Sequence, residues 1–184
     1  MIALPARPSY VREEFVALPD DQFEFVRRRV EIYTSHLSAL VAGKVVTRLS
    51  NCCDATSSGL VFACGTEYRC LSNEPEQYLK PDVSFIRNER LTADWMADAY
   101  FSIAPDLAVE VLSPNDLAYN VDAKIRLYLR VGVQLVWIVN PEQRTVAIYR
   151  ADGSVTLLNE DDVLEGEQVI PGFTCACREI FPGL

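Results

Sequence analysis

The chain has 184 residues, 49% of them hydrophobic, which is enough to form one domain with a full core. Its formal net charge of -9 at pH 7 excludes a broad electropositive surface of the kind that binds duplex DNA by neutralising many phosphates. The longest apolar stretches, such as residues 131–139, are too short to cross a bilayer, and the N-terminus lacks the pattern of a signal peptide. We therefore expect a cytoplasmic protein without membrane contact.

The cysteine pattern indicates free thiols. The sequence has six cysteines, none of which forms a CxxC pair, and its single histidine, His36, cannot complete a zinc finger. A domain of this size does not need disulfides for stability, so we predict that the cysteines are reduced. His36 falls within a predicted long helix, and we interpret it as a residue on the surface of that helix.

In the first half of the chain, the predicted order is a short helix, an extended piece, a long helix and a meander of strands. Apolar residues at helical spacing mark the long helix, although Gly43 interrupts its middle. The strands are recognised by β-forming residues between polar loops. These elements are predicted at residues 9–19, 23–26, 30–49, 59–64, 67–71 and 82–86.

In the second half, a short helix precedes a buried strand, a second long helix and paired strands. Gly132 ends the second long helix, and an Asp-Gly turn at 152–153 predicts a further hairpin. The elements are predicted at residues 91–99, 107–112, 116–131, 134–139 and 145–149. Together they predict one α/β (α+β) domain over residues 1–184, with a mixed sheet and flanking helices.

Two acidic residues interrupt otherwise apolar strands. Glu110 lies within the run 107–112, where a buried charge needs a cation, a metal or hydrogen-bond donors beside it. Asp82 stands at the head of the strand 82–86. Alternation along a strand places Asp82 and Ser84 on one face, and Ala108 and Glu110 on one face of the other strand. If these strands pair, Asp82 and Glu110 can together hold one Mg²⁺ or Mn²⁺ ion.

A lysine near such a metal site would orient or deprotonate the attacking water. Lys124 follows Glu110 on the second long helix, where it shares a face with Tyr128. Lys80 is a rival, since it lies two residues before Asp82 on the same predicted strand face. Asp106 is too close to Glu110 to belong to another strand, and we interpret it as a strand-start residue.

Motifs spread over nearly the whole chain resemble the Uma-two family of PD-(D/E)XK restriction-endonuclease-like proteins. The superfamily places a lysine two residues after its second acid, where this chain has Leu112. The Uma-two branch instead carries the lysine on the following helix, where this chain has Lys124. Two further departures are Arg28-Arg29 in place of an Asp-Gly turn, and Asn140 in place of an Asp. The matching segments are Glu13–Phe15, Leu18–Pro19, Phe23–Val26, Pro81–Ile86, Glu89–Leu91, Pro105–Pro114, Asp122, Lys124, Tyr128, Gly132–Val133, Trp137–Val139, Pro141 and Pro171–Phe173.

The resemblance implies a restriction-endonuclease-like core and a nuclease that hydrolyses phosphodiester bonds with Mg²⁺ or Mn²⁺. It implies that Asp82 and Glu110 are the metal ligands, and that Lys124 and Glu24 complete the catalytic set. The expected substrate is nucleic acid, with DNA favoured, and the expected assembly is a homodimer. Phosphate contacts would come from small basic groups such as Arg27–Arg29 and Arg126 with Arg130, which are otherwise solvated charges.

Two other functions stay open at this point. The first is a homodimeric binding or scaffolding protein with weak or no catalysis, which keeps the acid pair for stability or metal binding. The net charge of -9 suits this alternative. The second is a metal-dependent hydrolase of small phosphate esters, for which an acidic surface is no handicap. Metal-dependent cleavage of nucleic acid separates the nuclease from both.

Overall fold

The computed structural model describes residues 35–71 and 78–183 of the chain. The chain divides at residue 34, and the described residues all belong to the second unit, residues 35–184. The predicted elements at 9–19 and 23–26 lie outside the described residues, as do Glu24 and Arg27–Arg29. The single domain over 1–184 stays a prediction.

The described part of the second unit contains two long helices and eight strands. They are α1 His36–Thr56, β1 Gly59–Ala63, β2 Val83–Arg87, β3 Leu107–Val111, α2 Ala118–Arg130, β4 Leu135–Asn140, β5 Thr145–Arg150, β6 Val155–Leu158, β7 Val163–Glu165 and β8 Thr174–Ala176. A six-stranded mixed sheet forms the centre of this unit, with the strands in chain order from β1 to β6. All neighbouring strands are antiparallel except β3 and β4, which are parallel because helix α2 crosses between them. Strands β7 and β8 form a separate pair.

The two long helices were predicted correctly, but with different ends. Helix α1 begins where the Ser35 hydroxyl accepts the backbone N–H of Ser38 at 3.0 Å, and it continues to Thr56, beyond the predicted end at residue 49. It stops at Ser57, which adopts a left-handed conformation with φ of 51°. The buried stripe of the helix also extends past the predicted end, to Cys53, so packing against the sheet continues the helix.

The sheet has an apolar core on each face, and strand alternation decides which side chains enter which core. On β3, Leu107, Val109 and Val111 pack in the core that contains the buried residues of α1. Ala108 belongs to the other core, which contains the buried residues of α2. Glu110 follows Ala108 on that same side. The acid therefore points into the α2 layer.

Two predicted elements are absent or much shorter. Residues 67–71 were predicted as a strand, but Tyr68 alone forms isolated bridges, with Leu79 and Phe101. Residues 91–99 were predicted as a helix and contain only the short 3-10 turn Trp95–Ala97. Tyr68 and Trp95 from these segments join one aromatic cluster, in which Phe101 stacks on both rings and lies 5.0 Å from Phe62 between ring centroids. Tertiary packing overrides local preference at both places.

Other predictions agree with the structure. All six cysteines are free thiols. The Asp-Gly hairpin joins β5 to β6, with Gly153 at a φ of 85°. His36 is the first residue of α1 and is exposed, as expected for a residue on the helix surface. Within residues 35–71 and 78–183, no helix combines the length and apolar character needed to cross a membrane.

Candidate active site

Strand register brings the two predicted acids together. Strand β2 pairs with β3 in an antiparallel register that includes Val83 with Val109. Asp82 directly precedes β2, so a continuation of this register directs it towards Glu110 on the same face, and its negative charge acts on Glu110. The backbone N–H of Val111 donates to Oδ2 of Asp82 at 2.7 Å, which ties Asp82 to the end of β3.

Helix α2 supplies the partners that a buried acid requires. Glu110 is 7% exposed. Its Oε2 accepts a hydrogen bond from Nζ of Lys124 at 3.0 Å, and its Oε1 accepts one from the hydroxyl of Tyr128 at 2.5 Å. Because Lys124 and Tyr128 are one helical turn apart, a single face of α2 holds both oxygens of the carboxylate.

The surroundings of Glu110 place its ionisation near neutral pH. Burial raises the pKa of Glu110 from its ordinary value of 4.5 to about 7, because the interior solvates the carboxylate less well than water does. The positive charge of Lys124 opposes this rise in pKa, and the negative charge of Asp82 adds to it. The interaction between the two acids means that a cation bound beside them would relieve their repulsion and compete with the proton.

The acid pair suits a hard divalent cation. Asp82 and Glu110 offer carboxylate oxygens, the ligands that Mg²⁺ and Mn²⁺ prefer. In the described part of the chain, no group of three or more His, Cys, Asp or Glu side chains is arranged to hold a metal ion. Mg²⁺ is commonly bound by two carboxylates, with water or substrate phosphate in its other coordination positions. The donor set therefore fits an ion that is shared with substrate.

The structure separates the two rival lysines. Lys124 contacts the acid pair through Glu110. Lys80 instead has its Nζ 3.3 Å from Oε2 of Glu67 and 4.8 Å from the centre of the Tyr78 ring. Lys124 is thus better placed to act on a group bound at the acids.

Asp106 lies directly before β3 and makes contacts that stabilise the fold, in agreement with its interpretation as a strand-start residue. It is 2% exposed, and its Oδ2 accepts the backbone N–H of Arg87 at 3.0 Å. Its Oδ1 lies 2.9 Å from Nη1 of Arg90. Its backbone carbonyl also accepts the N–H of Leu135 at the start of β4. Asp106 therefore joins the starts of β3 and β4 to the segment that follows β2.

Two tyrosines on this side of the sheet had no predicted role at the site. Tyr128 was predicted to share a helical face with Lys124, and this spacing is the sequence signal from which its contact with Glu110 can be inferred. Tyr68 is fully buried and shares a hydrogen bond of 2.6 Å with the hydroxyl of Ser84, two residues from Asp82. No local pattern marks Tyr68, because its contact depends on a bridge between distant segments.

Comparison with known proteins agrees with this architecture. A family model described as "Putative restriction endonuclease", Uma2, matches residues 12–178. The chain belongs to the Uma2 family. Among solved structures, it is similar to a crystal structure described as a "putative nuclease belonging to DUF820" from Anabaena variabilis, with a TM-score of 0.70 and 18% identity over 80% of this chain and 81% of the other. None of the curated proteins matches this Uma2 chain. The family and the fold are thus those of restriction-endonuclease-like proteins.

Proposed function

We propose that this Uma2 protein is a metal-dependent nuclease that cleaves DNA, with Asp82 and Glu110 as ligands of Mg²⁺ or Mn²⁺. One observation carries the proposal: a buried glutamate lies beside an aspartate that directly precedes the neighbouring strand, and it has a lysine 3.0 Å from its carboxylate. A buried ionisable cluster with a strongly raised pKa is more typical of an active site than of a structural ion pair.

Each residue has a distinct part in the proposed chemistry. When bound by Asp82 and Glu110, the divalent ion supplies a more acidic water and offsets negative charge on the phosphate. The side chain of Lys124 is 38% exposed, so its ammonium can turn from Glu110 towards an entering phosphate or the attacking water. Glu24 stays a proposed further member of the catalytic set.

Substrate binding must contend with the acidic composition. The net charge is -9, and Arg126 on α2 is already paired with Asp122. We therefore propose that phosphate is held by a few cations together with the metal. DNA is favoured as substrate because the family is described as restriction endonucleases. We also propose a cytoplasmic homodimer, in which two symmetric sites can address the two strands of a duplex.

The decisive test is cleavage of plasmid DNA with added Mg²⁺ or Mn²⁺ and with a chelator. Asp82→Asn, Glu110→Gln and Lys124→Met should each abolish cleavage, whereas the control Lys80→Met should retain it. Structured RNA and a panel of small phosphate esters, assayed in parallel, identify the substrate class. Loss of activity in Lys80→Met but not in Lys124→Met would show that the catalytic lysine is assigned wrongly.

The scaffold alternative has its own support, because Lys124 and Tyr128 already engage both oxygens of Glu110. An acid held in this way could serve stability alone. Metal-saturated protein that cleaves none of these substrates, while sedimentation shows a stable dimer, would favour the scaffold over the nuclease.

A further inference from the structure

We propose that Tyr128 is a positioning residue for metal binding: it anchors Glu110 by Oε1, and thereby leaves Oε2 as the oxygen that exchanges Lys124 for a divalent cation. The inference rests on the proposed function, in which Glu110 is a metal ligand. It assigns different tasks to the two hydrogen bonds that α2 makes with the same carboxylate, at 2.5 Å from Tyr128 and 3.0 Å from Lys124.

Burial distinguishes the two partners. Tyr128 is 2% exposed and packs in the same core as Ala108, Ile125 and Ile138. Its backbone carbonyl also accepts the N–H of Val133, which fixes the end of α2 beside β4. A ring enclosed in this way has little room to leave Glu110.

The side chain of Lys124 is more exposed than that of Tyr128. Its side chain is 38% exposed, and a lysine can carry its ammonium into solvent on a flexible stem. An entering Mg²⁺ has the same sign of charge as the ammonium and would displace it from Oε2. The neutral hydroxyl of Tyr128 faces no such repulsion and continues to hold Oε1. A partner that fixes a metal-binding side chain usually contributes about 10-fold or more to metal affinity.

Tyr128→Phe tests the anchor, and Tyr68→Phe is its matched control. Both remove one buried tyrosine hydroxyl on the same side of the sheet, but Tyr68 bonds to Ser84 rather than to an acid. Mn²⁺ titration by calorimetry should show affinity about 10-fold or more below wild type in Tyr128→Phe. Tyr68→Phe should bind as wild type does, and Lys124→Met should bind no more weakly than wild type.

Near-ultraviolet spectra give a second measurement that does not require a variant at Tyr128. Mg²⁺ binding to wild type should perturb tyrosine absorption, because Glu110 changes the charge it presents to the Tyr128 hydroxyl. Glu110→Gln should abolish the perturbation. Calorimetric binding without any spectral change in wild type would overturn the anchor, even if Tyr128→Phe failed to fold.

The remaining outcomes separate this inference from the proposed function. Unchanged affinity in Tyr128→Phe, or equal losses in Tyr128→Phe and Tyr68→Phe, would overturn the anchor while leaving nuclease activity possible. Metal binding with the expected pattern but without cleavage of nucleic acid would support the anchor and reject the nuclease. Absence of Mn²⁺ binding in wild type would overturn both.

Discussion

Glu110→Gln should stabilise the metal-free protein above neutral pH. The pKa of Glu110 is raised from 4.5 to about 7 by burial, so ionising this side chain costs more in the folded than in the unfolded state. At 1.36 kcal/mol for each unit of pKa, the cost reaches up to about 3 kcal/mol once the carboxylate is fully ionised. Glutamine removes that cost and can still accept the hydrogen bond from Tyr128.

The sign of the pH dependence follows from the same shift. A raised folded-state pKa contributes stability that is complete below the unfolded value of 4.5 and is lost as pH rises through about 7. The unfolding free energy of wild type should therefore fall relative to that of Glu110→Gln across this window and then stay level. Charges elsewhere are common to both proteins and cancel in the difference.

Urea denaturation at about pH 5, 6, 7 and 8 with a chelator measures this difference. Glu142→Gln, at an exposed position, controls for the chemical change itself. Adding Mg²⁺ at about pH 8 to 100 times its Kd should return about 2.7 kcal/mol to wild type. A difference between wild type and Glu110→Gln that is constant across the pH range, or that moves in favour of wild type as pH rises, would refute the reasoning.

Three further predictions concern metal affinity, the fold and nucleic-acid binding. Mn²⁺ affinity should rise about 10-fold per pH unit below the pKa of Glu110, because proton and metal compete for one carboxylate. Calorimetry at several pH values measures this, and an affinity that does not change with pH would contradict it. Asp106→Asn should lower the unfolding free energy by about 1–3 kcal/mol, measured by urea denaturation, because Arg90 loses a charged partner. Unchanged stability would show that the pair of Asp106 with Arg90 does not stabilise the fold. For Lys124→Met, which we expect to be inactive, the slope of log K for DNA against log salt should be about -2 to -4 by fluorescence anisotropy. A slope near -8 would require a basic groove and contradict this prediction.

Some features of this protein are readable in the sequence because they depend on neighbouring residues. The apolar run 107–112 makes a buried strand, and a carboxylate inside it demands a partner wherever the strand packs. The spacing of Lys124 and Tyr128 gives them one helical face in any fold that keeps the helix. Asp152-Gly153 similarly specifies a tight turn by backbone preference alone.

Contacts between distant segments were decided by the tertiary structure. The pairing of β2 with β3 brings Asp82, just before β2, close to Glu110, and a shift of one residue would turn the two acids to opposite faces. The pKa of Glu110 is raised mainly because tertiary packing buries the carboxylate, and the nearby charge of Asp82 adds to the rise. The segments at 67–71 and 91–99 lack their predicted regular structure because packing Tyr68 and Trp95 into a shared aromatic cluster outweighed local propensity. Propensity acts over a few residues, whereas burial and pairing depend on which segments meet.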